Sequence, residues 1–295
     1  MKLCLYNSFQ AGAVVEDQVY PVGDALVRAE HLKHDYTMAD FIEKVTAYPE
    51  VRRFVLHWMK TGKSVPLNKV KLQAPITNPP SIWAAASNYK AHVEEMQART
   101  KGETVVTDKE ELMAEFWLKT SASIIGPGET IILPKVSQRV DFETELCAVI
   151  GKSAKRVSEE DALDYVFGYT ICWDISQRLP WGREKPGNTR NIRKGFDTFT
   201  PLGPWIVTKD EIADPQNLSI KTELNGELAM LAHTKDMICT VREQIRFLSS
   251  VTTLRPGDLI STGTPEGVRM LKDGDRLKGS IEHIGEMELF VRAEG

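Results

Sequence analysis

Acidic side chains alternate along one short stretch of the chain, residues 140–151. Asp141, Glu143 and Glu145 lie two residues apart, and the side chains of a strand alternate between its faces, so the three would share one face. The stretch then continues as an apolar run to Ile150. Carboxylates crowded beside a buried segment repel one another and resist the loss of water. A hard divalent cation held by carboxylate oxygens is the simplest compensation.

A third carboxylate follows the next apolar segment. Residues 165–173 are apolar, β-branched or aromatic, and they end at Asp174, which is predicted to be either a cap or a ligand. Glu143 and Glu145 would alternatively form the solvated face of an edge strand, but the addition of Asp174 favours a metal site. Three carboxylates with water completing the shell suit Mg²⁺ or Mn²⁺ better than Zn²⁺, which prefers His or Cys.

A histidine and a glutamate lie three residues apart on a predicted helix that begins after Ser87 and Asn88. His92 and Glu95 would therefore share a helix face, and a carboxylate beside an imidazole produces a general base that works near neutral pH. The alternative is that His92 and Glu95 form a solvated ion pair on the surface, and the three-residue spacing by itself favours this alternative. The charged stretch that follows, up to about residue 114, is either a mobile lid or a solvated surface segment.

Three more side chains are candidates for contact with an anion. Arg178, four residues after Asp174, would pair with that carboxylate or reach an anionic substrate. Lys194 precedes a segment with little helix character, which suggests a charge directed into a cleft. Thr264 lies in a Thr-Gly-Thr-Pro run after an apolar strand, where N–H and hydroxyl groups can bind a carboxylate. The spacing of a nucleotide-phosphate loop is missing from this run.

Composition narrows the functional class. The 295 residues are 42% hydrophobic and 26% charged, with 41 acidic against 37 basic residues and a net charge of −4. Without a long basic run, we expect no nucleic-acid partner. Four scattered cysteines are typical of a reducing compartment. No signal peptide and no membrane-spanning apolar run are recognisable, so we expect a soluble cytoplasmic protein with no membrane partner.

The distribution of elements predicts an α+β, β-rich fold. Residues 1–70 are predicted to be a small N-terminal domain with strands at 3–6 and 13–19 and a helix at about 37–61. A proline-marked junction leads to a larger domain over residues 71–295. Many short strands, an Asn225-Gly226 hairpin and few long helices, one of them at 241–251, favour a rolled or barrel-like sheet there.

Together these motifs resemble the fumarylacetoacetate hydrolase superfamily, in particular its acylpyruvase and 2-hydroxyhepta-2,4-diene-1,7-dioate isomerase-like members. The resemblance runs from about Leu72 to the C-terminus. It is carried by Ala74-Pro75, the Asn88–Glu95 motif, the 140–146 stretch, Asp174, the Lys194–Phe199 motif and Thr262-Gly263-Thr264-Pro265. It implies a mixed β-roll catalytic domain after a small N-terminal domain, and a homodimer. It also implies a site for Mg²⁺ (or Mn²⁺ or Ca²⁺) formed by Glu143, Glu145 and Asp174.

The resemblance also implies roles for individual residues. His92 and Glu95 match a water-activating pair on a lid at about residues 92–114, and Lys194 matches a catalytic lysine beside the metal. The implied substrate contacts are Arg178, Trp181, Thr264 and Tyr89, with Thr264 holding the substrate's carboxylate. Two positions depart from the family pattern: Trp181 replaces a glutamine found in several relatives that act on small keto acids, and Ser87 replaces a glycine or another small residue.

The chemistry that follows is hydrolytic cleavage of a carbon–carbon bond in a 2,4-diketo acid, by water that His92 activates beside a metal-stabilised enolate. The alternatives are decarboxylation or isomerisation of a keto dicarboxylic acid in aromatic catabolism, because the same metal triad serves each reaction. A third alternative is a non-catalytic metal-binding homodimer, against which the presence of His92, Glu95 and Lys194 argues. Trp181 and the long lid favour a substrate with a bulkier tail than oxaloacetate.

Overall fold

A computed structural model describes residues 1–100, 108–179 and 190–295 of the chain, except for the side chains of residues 96, 97, 99 and 100. Its strands are β1 (Lys2–Tyr6), β2 (Gln10–Val15), β3 (Gln18–Tyr20), β4 (Val65–Pro66), β5 (Leu72–Gln73), β6 (Ile82–Ala84), β7 (Trp117–Leu118), β8 (Ile124–Ile125), β9 (Thr130–Leu133), β10 (Arg139–Asp141), β11 (Thr144–Ile150), β12 (Val166–Trp173), β13 (Ser176–Leu179), β14 (Thr200–Thr208), β15 (Ser219–Leu224), β16 (Glu227–His233), β17 (Leu259–Ser261), β18 (Arg276–Ile281) and β19 (Gly285–Ala293). Its α-helices are α1 (Val22–Arg28), α2 (Met38–Ala47), α3 (Pro49–Thr61), α4 (Lys90–Thr100), α5 (Lys109–Ala114), α6 (Arg190–Arg193) and α7 (Val241–Val251).

The strands form one large sheet and two smaller ones. The large sheet has the order β4-β3-β2-β1-β14-β12-β11-β17-β6-β7, with β5 and β8 added beside β1 and β14. A five-stranded sheet has the order β16-β15-β18-β19-β9, and β10 pairs with β13. Parallel pairs such as β6 with β17 and β9 with β19 occur among antiparallel ones. The prediction of a β-rich, mixed α+β fold is therefore confirmed.

The N-terminal residues continue the large sheet. Strand β1 pairs antiparallel with both β2 and β14. The core beneath it is shared, since Leu3 and Phe41 from the N-terminal part lie in the same buried cluster as Val149, Phe167 and Leu202. The domain boundary near residue 70 stays a prediction, but the apolar core is continuous across it.

Proline divides the helix that the sequence predicted over residues 37–61. Tyr48 ends α2 and precedes α3, which has Pro49 in its first turn. Proline lacks the N–H that would continue the first helix but suits the first turn of the second. Thr37 begins α2 with a capping box, in which its hydroxyl accepts from the N–H of Asp40 and its own N–H donates to the Asp40 carboxylate.

The predicted acidic strand is also interrupted. Strand β10 ends at Asp141 and β11 begins at Thr144, so Phe142 and Glu143 lie in a break between them. The two strands belong to different sheets, since β10 pairs with β13 whereas β11 lies between β12 and β17. The expectation that three acidic side chains share one continuous strand face was wrong for this reason, and Asp141 belongs to the β10–β13 pair.

Two predicted elements occur as expected. Helix α7 spans Val241–Val251, and a Thr240–Glu243 capping box begins it. Asn225 and Gly226, both with positive φ, connect β15 to β16 as a two-residue hairpin turn.

All four cysteines are buried free thiols. Among the described residues, no helix combines the length and the apolar character needed to cross a membrane.

A buried asparagine connects the start of α4 to the end of β17. The Asn88 amide nitrogen donates to the backbone oxygens of Cys239, at 2.9 Å, and Thr262, at 2.7 Å. Its side-chain oxygen accepts from the Cys239 N–H at 2.7 Å. Asn88 is 2% exposed, so these bonds form out of contact with water. The clamp holds the helix that carries His92 against the segment that carries Thr264.

The shared core predicts that a large cavity in the N-terminal helices weakens the whole protein. Phe41→Ala removes a fully buried aromatic ring, and such changes cost about 3–5 kcal/mol. We expect thermal unfolding, followed by circular dichroism, to remain one transition at a lower temperature. Leu56→Ala, at a 38% exposed position on α3, is the control and should change little. A separate early transition that leaves the main sheet unchanged would contradict a shared core.

The asparagine clamp predicts a second stability effect. Asn88→Ala leaves buried partners without hydrogen bonds and should lower the free energy of unfolding by about 2–4 kcal/mol. Asn88→Asp keeps the shape but directs a carboxylate oxygen at two backbone oxygens, so we expect at least the same loss. Chemical denaturation measures both, with the exposed Asn217→Ala as control. Wild-type stability of Asn88→Asp would show that the donated bonds contribute nothing.

Candidate active site

Three carboxylates from separate parts of the chain converge in the interior. Glu143 lies in the break between β10 and β11, Glu145 lies on β11, and Asp174 directly follows β12. All three are buried, and their candidate ligand oxygens lie within 4.8 Å of one another. The antiparallel pairing of β11 with β12 produces this convergence, because Glu145 lies opposite Cys172 and the Asp174 N–H donates to the Glu143 backbone oxygen at 2.8 Å. We call these residues the acidic triad.

Glu145 is held by the strand on its other side. Its carboxylate accepts from the hydroxyl of Ser261 at 2.6 Å and from the N–H of Gly263 at 2.8 Å. Burial, together with the charges of Asp174 and Glu143, raises the pKa of Glu145 to about 8. This carboxyl group therefore stays largely protonated near neutral pH unless further positive charge is present.

Glu143 has the opposite electrostatic balance. Its carboxylate accepts from Lys194 Nζ at 2.7 Å and from the hydroxyl of Ser176 at 3.1 Å, and it pairs with Arg178. Burial opposes its ionisation, but the charges of Lys194, Arg178 and His92 hold the pKa of Glu143 well below its ordinary range. The Glu143 carboxyl group is thus ionised near neutral pH.

Two lysines share the carboxylate of Asp174. Lys119 Nζ donates to Oδ1 at 2.6 Å and to the backbone oxygen of Lys194 at 2.7 Å, while Lys194 Nζ contacts Oδ2. The Lys119 side chain is completely buried. The sequence analysis missed Lys119, because a lysine at the end of an apolar run looks like the last, solvated residue of a strand. Its partner, 55 residues away, is apparent only in the fold.

His92 and Glu95 face each other on α4. His92 Nδ1 lies 3.6 Å from Glu95 Oε2, slightly beyond hydrogen-bond distance, and His92 is 6% exposed. Glu95 also accepts from the N–H of Gly267 at 3.2 Å, which joins α4 to the segment after β17. The spacing-based preference for a solvated surface pair is therefore wrong for His92, which is buried at the site.

A cleft that is open to solvent connects these groups. Its lining residues are Ala85, Ala86, Ser87, His92, Trp117, Glu143, Glu145, Arg178, Arg190, Arg193, Lys194 and Thr264. Six predicted site residues are thus brought together at one surface, with Asp174 behind them. Thr264 is buried, and its hydroxyl donates to the backbone oxygen of Thr144 at 3.2 Å.

Other predicted residues lie elsewhere. Tyr89 is 1% exposed, belongs to the main apolar core and is absent from the cleft lining. Trp181 lies outside the described residues, as does the 101–107 part of the predicted lid. Ser87 lines the cleft with a φ of 48°, a left-handed conformation that glycine adopts most easily.

The donor set of the triad fits a divalent cation. Three carboxylates supply hard oxygen ligands, which Mg²⁺, Mn²⁺ and Ca²⁺ prefer. The raised pKa of Glu145 indicates that the buried triad carries more carboxyl groups than the surrounding cations stabilise in ionised form. A divalent cation would supply that charge.

Comparison with known proteins places this geometry in a family. Residues 81–292 match the model of the fumarylacetoacetate (FAA) hydrolase C-terminal domain. Maleylpyruvate hydrolase of Aquipseudomonas alcaligenes is 35% identical over 295 residues, which cover 99% of this chain and 100% of that protein.

Two solved structures are similar in fold as well as sequence. Maleylpyruvate hydrolase from Sphingobium sp. SYK-6, in complex with manganese(II) ion and pyruvate, superposes with a TM-score of 0.82 at 30% identity over 100% of both chains. The 2-hydroxyhepta-2,4-diene-1,7-dioate isomerase from Mycobacterium marinum has a TM-score of 0.67 at 38% identity, covering 80% of this chain and 82% of that one. The chain belongs to the fumarylacetoacetate hydrolase family.

Proposed function

We propose that the protein is a divalent-metal-dependent hydrolase that cleaves a carbon–carbon bond of a 2,4-diketo acid of the acylpyruvate type. The observation that carries the proposal is the buried acidic triad, of which Glu143 and Glu145 line the same cleft as the buried His92. The maleylpyruvate hydrolases that resemble this chain over its whole length support the same class of substrate.

In this proposal the acidic triad binds the metal ion. Glu143, Glu145 and Asp174 would hold Mg²⁺, or Mn²⁺ or Ca²⁺ in its place. When bound, such a cation supplies Lewis-acid polarisation of a carbonyl group and stabilises enolate charge. The manganese complex of the Sphingobium relative supports a divalent ion in this family.

The protein's own residues would carry the proton transfers. Glu95 faces His92 Nδ1, so it would orient the ring and leave Nε2 to take a proton from water. The hydroxide so formed attacks the distal carbonyl carbon, and the bond to the neighbouring carbon breaks with its electron pair on the pyruvate side. Protonation of that carbon then gives pyruvate and a second carboxylic acid.

Cationic and hydroxyl side chains would hold the substrate's anionic groups. Lys194 and Arg178 line the cleft and would stabilise developing negative charge. Thr264 would donate to the substrate carboxylate by exchanging its present backbone acceptor. We infer further, from the family resemblance, that the protein works as a homodimer, and, from its scattered cysteines, that it works in the cytoplasm.

Isomerisation of an unsaturated keto dicarboxylic acid is the second candidate function. The similarity to the Mycobacterium marinum isomerase favours it. An isomerase needs proton transfer but no attack by water, so the two reactions differ in whether the substrate is divided.

A substrate panel tests the proposal. Maleylpyruvate, other acylpyruvates, a 2,4-diketo-3-deoxy sugar acid and oxaloacetate are incubated with Mg²⁺, with Mn²⁺ and with chelator, and products are identified by mass. We expect metal-dependent release of pyruvate from an acylpyruvate, falling by about 10²-fold or more in chelator. Turnover that survives complete metal removal contradicts the proposal. Rearrangement without cleavage supports the isomerase, and loss of carbon dioxide alone indicates a decarboxylase.

A single substitution tests the role of His92. Because general-base catalysis is worth about 10²–10⁴-fold, His92→Ala should lower kcat by that factor. Metal affinity, measured by calorimetry with Mn²⁺, should remain close to wild type, since the three proposed ligands are unchanged. His57→Ala, at an exposed position, is the control. Full turnover by His92→Ala would exclude it as the base.

A further inference from the structure

Trp117, at the wall of the cleft, carries two cations over its indole ring. Lys194 Nζ lies 4.5 Å from the ring centroid, and Arg190 Cζ lies 5.5 Å from it. Both distances are within the ~6 Å over which a ring face attracts a cation, and tryptophan offers the strongest such face. Lys194 is the nearer of the two cations, and it is also the one that contacts the acidic triad.

Packing and hydrogen bonding do not by themselves explain an indole at position 117. Trp117 is 6% exposed, lies opposite Ala84 in the pairing of β6 with β7, and packs against Ala84 and Ala86. Its Nε1 is buried and has no hydrogen-bond partner in the described part of the chain. A buried donor without a partner costs free energy, and a phenylalanine or leucine side chain would fill an apolar site without that cost. What the indole adds is its face, on which the Lys194 ammonium lies.

The ammonium of Lys194 has two kinds of contact. It donates to the Glu143 carboxylate at 2.7 Å and to the carboxylate of Asp174. Both carboxylates are proposed metal ligands, so a bound divalent cation would draw on the same oxygens. The Trp117 ring supplies no metal ligand. Its contact would therefore hold the ammonium beside the triad whether or not a metal engages the carboxylates.

The same segment of chain holds the other end of Lys194. Lys119, two residues after Trp117, donates to the Lys194 backbone oxygen at 2.7 Å. Side chains two residues apart in an extended chain lie on one side of it, so Trp117 and Lys119 both face Lys194. The lysine stem between backbone and ammonium is long and flexible. The ring contact restricts the charged end, which the backbone contact leaves free.

We propose that Trp117 is a positioning residue, whose ring holds the Lys194 ammonium at the edge of the acidic triad. The inference rests on the proposed function, in which Lys194 stabilises negative charge as the carbon–carbon bond breaks. Trp117 acts through Lys194 alone, so its loss should slow the chemical step without weakening metal binding.

Substitutions that keep or remove an aromatic face test this role. A cation–π contact is worth from about twofold to about 30-fold, so Trp117→Leu should lower kcat by about tenfold and Trp117→Phe by about threefold. KM, and the Mn²⁺ affinity measured by calorimetry, should stay within about twofold of wild type. Trp205→Leu is the matched control and should leave kcat unchanged, because its ring carries the Lys2 ammonium at 5.1 Å and lies outside the described cleft lining.

A double variant shows whether Trp117 acts through Lys194. Lys194→Met removes the ammonium, so adding Trp117→Leu to it should change kcat by less than about twofold, whereas independent effects would multiply. A full tenfold further loss would assign Trp117 a packing role and overturn the proposal. A rise in KM at unchanged kcat in Trp117→Leu would also overturn it, because the ring would then bind substrate instead.

Proton exchange of the lysine ammonium groups tests the same contact without substrate or metal. NMR of ¹⁵N-labelled lysine detects ammonium groups whose protons exchange slowly with water, and loss of the signal in Lys194→Met, or in Lys194→Arg if the first variant does not fold, assigns it. We expect the Lys194 ammonium protons to exchange about tenfold or more faster in Trp117→Leu than in wild type, with Trp117→Phe between them. Lys119, whose side chain is completely buried against Asp174, is the internal control and should not change.

The outcomes separate this inference from the proposed function. Unchanged exchange at Lys194 in Trp117→Leu would show that the ring does not hold the ammonium. Faster exchange at Lys194 and Lys119 alike would show a general loosening of the site, and either result overturns the inference. If wild type cleaves no acylpyruvate, the proposed function fails, and the exchange rates still decide whether Trp117 positions Lys194.

Discussion

Carboxyl groups buried side by side must be neutralised, because like charges repel strongly where water cannot screen them. In this protein Glu143, Glu145 and Asp174 lie within 4.8 Å of one another in the interior. Lysine and arginine side chains compensate only part of that negative charge. The pKa of Glu145, raised to about 8, reflects the part that remains uncompensated. Burial of three carboxyl groups side by side lowers the stability of the fold. We therefore attribute the arrangement to the reaction that it serves.

The rest of the fold can be understood as the frame for this cluster. Strands β11 and β12 pair so that Glu145 and Asp174 come together, and the break before β11 turns Glu143 toward them. Asn88 joins the start of α4 to the end of β17, which places His92 at the same cleft. Backbone hydrogen bonds and the Asn88 clamp thus hold the segments that carry these side chains, which restricts the positions that the side chains can adopt.

Members of this family that share such a frame carry the names of different reactions, hydrolysis in one relative and isomerisation in another. A metal that stabilises enolate charge serves both, so the acidic triad cannot distinguish them. Selectivity must then come from the walls of the cleft, where the side chains differ in charge and shape. In this chain the described part of that wall includes Arg190 and Arg193 of α6, and Arg190 lies over the ring of Trp117.

Residue type and spacing alone were enough to predict the β-rich fold, helix α7, the Asn225-Gly226 hairpin and the grouping of the three triad carboxylates. The helix and the hairpin depend on local preferences, which a sequence displays directly. Glu143 and Glu145 are close in sequence, and Asp174 was grouped with them because it ends the next apolar segment and because the family resemblance implies the same three ligands. The break at Phe142 and Glu143, the burial of His92 and the partner of Lys119 were decided by tertiary structure. Each depends on contacts between segments tens of residues apart, and a charged side chain looks solvated until the fold supplies its buried partner.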